Sequence, residues 1–172
     1  MFSAPVVFDL AIRVGPLADS TLTARKLGEL HYGLFAAPGY LARYGAPTEP
    51  SELQTHDTLV FSGGNHQGMW VLSRDRQQKS ITLEPRLKAN NVFAVRDAAI
   101  TGHGIALLPL IVAEPSVHAR HLRPVLTEWL PPSAPVHAVF ASARYLTPKV
   151  RAFIDLALAS MGADSWKVSG LS

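Results

Sequence analysis

Cysteine is absent from the 172 residues, which excludes disulfides and thiolate metal sites. No apolar stretch approaches the roughly 20 residues that a bilayer-spanning helix needs. The opening residues, MFSAPVVF, carry no basic region and are cut by Pro5, so they do not read as a signal peptide. Taken together, these absences lead us to expect a cytoplasmic protein. A surplus of one charge is also missing. Lys and Arg number 16 against 13 Asp and Glu, for a formal charge of +3. The basic residues are scattered, which leaves no stripe for nucleic acid.

Motifs of catalysis are missing too. There is no nucleophile elbow, no phosphate-binding glycine loop and no His-Glu-x-x-His pair. His118 and His121 stand three apart, but Pro115 and Pro124 leave little helix to present them, so they read as solvated rather than metal-binding. His103, between two glycines, is expected at a helix end, where the dipole favours a cation. Asp9 is expected at a strand start bonded to backbone, and Asp97 on the outer face of a helix. Neither has a second carboxylate at a spacing suited to acid/base work. Trp70 and Trp129 read as packing residues. No cofactor, no metal and no catalytic residue is expected.

What is present is core material and punctuation. Apolar residues make up 48% of the chain, enough for one compact domain or two small lobes. The most informative stretch is 91–109, NVFAVRDAAITGHGIALLP. Asn91 suits a helix N-cap. Val95, Ala98, Ala99 and Gly102 give a small-residue face for close packing on a sheet. Gly102 and Gly104 suit a helix end that needs positive φ, and 105–108 reads as a buried strand. Such an α/β turn offers amides to a small ligand and contains no reacting group.

Along the rest of the chain, strands are expected over 8–14, 27–37, 58–61, 121–126 and 136–141, with Pro124 marking 121–126 as an edge. Residues 69–73 and 80–83 read as a hairpin around a polar turn, 74–79. Residues 62–65, SGGN, read as a turn with some capacity to present backbone amides. Short helices are expected at 40–44 and from Ser51, taken as a cap. One helical turn is expected at 110–114, interrupted by Pro115. Residues 129–135 read as a surface connection and 162–172 as a patternless tail. The clearest helix is 148–161, with Val150, Phe153, Ile154, Ala157, Leu158 and Met161 at helical spacing. Interleaved strands and helices make the class α/β, with few helices for the number of strands.

The ordered set FDLAIRVG at 8–15, ARKL at 24–27, APGYLARYG at 37–45 with Pro47, GHGIALLP at 102–109, LRPVL at 122–126 and YLTPKVRAFID at 145–155 resembles the effector-binding domain of LysR-type transcriptional regulators. The resemblance implies a periplasmic-binding-protein-like fold of two α/β lobes joined by two crossover strands. Lobe I would comprise 1–38 with 137–163 and would be incomplete, lacking the family's first strand-helix-strand portion. Lobe II would comprise 39–136, with 164–172 a tail.

It also implies a small anionic or aromatic effector held between the lobes by Arg13, Val14, Gly15, Phe61, Ser62, Asn91, Val92, Phe93, Leu108 and Pro109, with Arg25 a further candidate. A homodimer or higher homo-oligomer is implied, with DNA reached only through a helix-turn-helix that these residues do not contain. A free-standing solute-binding protein of the same fold would carry an export signal and a full first lobe. A small α/β enzyme would need a reacting residue, and none nominates itself.

Overall fold

The computed structural model describes residues 9–17, 23–63, 68–140 and 147–160. In chain order the elements are β1 (Ala11–Val14), β2 (Thr23–Leu30), β3 (Tyr32–Ala36), α1 (Pro38–Tyr44), a 3-10 helix (Pro50–Thr55) and β4 (Thr58–Phe61). They continue with β5 (Met69–Arg74), β6 (Gln77–Thr82), β7 (Leu87–Ala89), α2 (Val92–Ile100), β8 (Ile105–Pro109) and α3 (Leu110–His118). The last three are β9 (Arg123–Val125), β10 (Ala134–Phe140) and α4 (Pro148–Ser160). The described residues form two compact units, one from residues up to 30 and from 134 onward, the other from residues 31–133.

In the first unit the sheet order is β1-β10-β2, all antiparallel, with β10 central. Ala11 pairs with Val139 and Val14 with Val136, while a bulge at Val136/His137 shifts the register toward β2. Helix α4 packs against β2 and buries Val150, Ile154 and Ala157. Phe153, which the helical spacing places on that face, is instead 47% exposed. The buried stripe is therefore narrower than the apolar one. Asp9 pairs with Lys149 rather than with backbone.

The second unit is built on a five-stranded sheet ordered β7-β4-β8-β3-β9. Its inner strands β4, β8 and β3 read as largely apolar runs because both faces are covered. Leu34, Ala36, Val60, Ile105 and Leu107 point into a core shared with Trp70, Leu72, Ile81 and Trp129, on the side of the β5-β6 hairpin. Their neighbours Phe35, Leu59, Ala106 and Leu108 point into the other core, against Val95 and Ala99 of α2 and Ala113 of α3. This is the period of two that a strand imposes.

Several expectations change here. The strand expected over 27–37 is two strands in different units, parted at His31. Residues 31–38, assigned to lobe I by the resemblance, lie in the second unit because β3 hydrogen-bonds to β8 and β9. Ser51 is not a cap, since the 3-10 helix starts at Pro50, and the Glu52 carboxylate accepts instead from the Thr48 amide and hydroxyl. The hairpin turn is two residues, with Asp75 at φ 54°, not six. Helix α3 runs through Pro115 for nine residues. Trp129 is the packing residue expected, at 2% exposure, although it opens the segment 129–135 expected as a surface connection. The expected tail lies outside the described residues.

Candidate functional site

Parallel strands β7, β4 and β8 end on the same side of the second unit's sheet, the side where open α/β sheets hold ligands. The Ser62 amide donates to the Ala89 carbonyl at 2.8 Å, which ties the β4 exit to the β7 exit. Helix α2 begins two residues after β7. Asn91 has extended backbone, and its Oδ1 accepts from the amides of Phe93 at 2.9 Å and Ala94 at 3.4 Å. The cap is the expected one, and it consumes two first-turn donors that an anion would otherwise meet. On the far side of β4, strand β8 closes at Pro109, paired with Tyr32 of β3. Burial pushes the Tyr32 phenol above its ordinary range.

Of the residues expected at the site, the fold brings Phe61, Ser62, Asn91, Val92, Phe93 and Pro109 to these strand ends. Leu108 shares the position by backbone only, because its side chain is fully buried in the core. Arg13, Val14 and Gly15 belong to the first unit. Arg13 is exposed at the end of β1, opposite His137. Gly15 takes φ 106° and donates its amide to Pro135 at 2.8 Å. Arg25 faces Asp155 at 3.7 Å with both side chains more than half exposed, so its charge is largely spoken for by solvent and that carboxylate.

Two further residues belong at the strand ends. Arg96 lies with its guanidinium carbon 5.2 Å from the Phe93 ring centroid and pairs with Asp97 at 2.8 Å. The i, i+3 spacing of Phe93 and Arg96 was the available signal. Gly63 is the other. A Cβ there would lie 2.5 Å from the Phe61 ring, so a side chain would displace that ring from the β4 exit. The result is a small face with two aromatic rings, a hydroxyl, a capped helix start and one cation neutralised by its neighbour. It contains no nucleophile-base pair.

His103 and His118 are placed elsewhere. His103 Nδ1 lies 2.9 Å from the Thr101 hydroxyl beyond the end of α2. His118 faces Glu114 at 3.6 Å on the exposed side of α3. Among the described residues, no three His, Asp or Glu side chains are grouped as metal ligands would be. Among the same residues, no helix is long and apolar enough to cross a membrane.

Comparison with known proteins gives this geometry a family. The LysR substrate binding domain family matches residues 7–162. An HTH-type transcriptional regulator of Xanthomonas campestris pv. campestris is 40% identical over 161 residues, covering 91% of this chain and 47% of its own length. PtxR, an HTH-type transcriptional regulator of Pseudomonas aeruginosa, is 30% identical over 94% of this chain and 52% of its own. This chain thus spans about half the length of these curated relatives. Among solved structures, the regulatory domain of CrgA from Neisseria meningitidis superposes with a TM-score of 0.79 at 29% identity, over 90% of this chain and 76% of that one. The full-length virulence activator AphB of Vibrio cholerae gives 0.79 at 28% identity, over 92% of this chain and 55% of its own. With the motif order, the two α/β units and a family match over nearly the whole length in agreement, this chain belongs to the LysR substrate-binding domain family of LysR-type transcriptional regulators.

Proposed function

We propose that this chain is the effector-sensing part of a LysR-type regulator and holds a small carboxylate or aromatic acid at the strand ends of its second unit. The observation that carries this reading is the convergence of Phe61, Ser62 and the Asn91-capped start of α2 where parallel strands end. An aromatic acid would stack on Phe61 or Phe93, and its carboxylate would accept from the Ser62 hydroxyl. The regulator works in the cytoplasm as a homodimer or higher homo-oligomer, without chemistry of its own. It meets DNA through a helix-turn-helix that lies outside these residues.

A thermal-shift screen of small carboxylates and aromatic acids selects the ligand, and calorimetry then tests the site. Ser62→Ala is expected to weaken binding of a carboxylate ligand by about tenfold. An unchanged affinity would remove the Ser62 hydroxyl from recognition.

A further inference from the structure

We propose that the second unit carries a separate site for a small oxyanion, a phosphate or carboxylate group, at the opposite end of its sheet from Ser62 and Asn91. A pocket of about 430 Å³ opens there. It is lined by Arg43 and Tyr44 of α1, Thr101 and Gly102 beyond α2, and Arg120 and His121 beyond α3. Helix α2 separates it from the strand-end face by nine residues, or about 13 Å of rise.

Charge is the first reason for an anion. Two arginines and a histidine line the pocket, and neither Asp nor Glu does. Arg43 and Arg120 make no ion pair among the described residues, whereas Arg25, Arg74, Arg86 and Arg96 each face a carboxylate. Cations at the ends of α2 and α3 suit the helix dipoles and ordinarily serve the last carbonyls, but most of these carbonyls already have donors. Thr101 Oγ1 donates to Asp97 and Ala98, and the amides of Gly102 and His103 donate to Ala99 and Ala98. At α3 the amides of Ala119, Arg120 and His121 donate to Pro115, Val117 and Ser116. The guanidinium of Arg120 is left for the pocket.

Backbone conformation is the second reason. Arg120 sits at φ 58°, in the position after a helix C-cap that glycine fills most readily. A cation that carries a Cβ is held there against its backbone preference, while Gly102 fills the equivalent turn after α2 at φ 81°. Tyr44, 53% exposed and 4.8 Å from the Tyr40 ring, adds an aromatic edge beside the cations. This suits a planar or ring-bearing molecule that ends in the oxyanion.

The proposal does not depend on the effector reading, and one experiment separates the two. The full chain is titrated with inorganic phosphate while its amide ¹⁵N–¹H spectrum is followed. Saturable shifts at Thr101, Gly102, Arg120 and His121 are expected, with Ser62 and Phe93 unmoved. Arg43→Gln and Arg120→Gly should each weaken phosphate binding by about tenfold. Arg120→Gly should also melt a few degrees higher, because glycine takes φ 58° without strain. That rise distinguishes lost binding from lost folding. Acetate run in parallel distinguishes a phosphate from a carboxylate, and shifts at these amides with either anion support the site. Absence of shifts with both anions, or phosphate affinity unchanged in both variants, would overturn it.

Discussion

Gly104 shows how tightly one residue can be constrained by its neighbours. It stands at φ 153°, and a Cβ there would lie 2.4 Å from the Asp57 carbonyl oxygen. That carbonyl cannot retreat, since it accepts the Ile105 amide at 2.9 Å and so sets the start of β8. Gly104→Val is expected to destabilise the chain by about 3 kcal/mol or more, read as a lowered urea midpoint. A midpoint equal to the parent would mean that the Asp57–Ile105 contact is not what positions β8. The need for glycine was legible from GHG before an apolar run, as was the Asn91 cap. The burial of 105–108 was legible too, whereas the exposure of Phe153 was not. Periodicity assigns a face to a residue, and only the packed neighbours decide how far that face is covered.

At the scale of elements, α3 departs furthest from its sequence signal. Pro115 ordinarily ends a helix, because it lacks an amide and its ring crowds the carbonyl four residues before it. Here α3 continues to His118 because Ala113 and Ser116 are buried and Leu122 is drawn back by the Ser116 carbonyl. Tertiary contacts override the local preference. Pro115→Ala is therefore expected to raise stability by about 1 to 2 kcal/mol, measured by denaturant unfolding. No gain would show that the helix had already adapted to the proline.

The β5-β6 hairpin shows the same limit, since charge pairs that no spacing announces hold it against the second unit's core. Glu49 faces Lys79 at 2.7 Å and Arg74 at 3.6 Å, and both cations lie within 5 Å of the Trp129 ring. The Lys79 hydrogen bond, and then the two positive charges, hold the Glu49 carboxyl below its ordinary range. A depressed carboxylate stabilises the fold above its unfolded pKa, and that stability is lost as pH falls through the lower folded value. Glu49→Gln should accordingly flatten the fall of the urea midpoint below about pH 4.5. A parental acid slope in the variant would remove the clamp from the stability of the hairpin.

For the whole molecule, the family and the α/β class were legible from the order of motifs, because each motif marks a turn that the fold needs at that point in the chain. The boundary between units was less so. Residues 27–37 read as one strand in sequence, and only hydrogen bonding to β8 and β9 separates β3 from β2. Six of the ten expected site residues converge for the same topological reason, since neighbouring parallel strands end on one side of the sheet. The central claim is that these strand ends hold the effector. It is tested most directly by mapping amide shifts on adding the strongest carboxylate or aromatic acid from the screen. Saturable shifts centred on Ser62, Val92 and Phe93, abolished by Asn91→Ala together with Ser62→Ala, are the predicted result. A ligand that binds at the same affinity while leaving these three amides unmoved would contradict it.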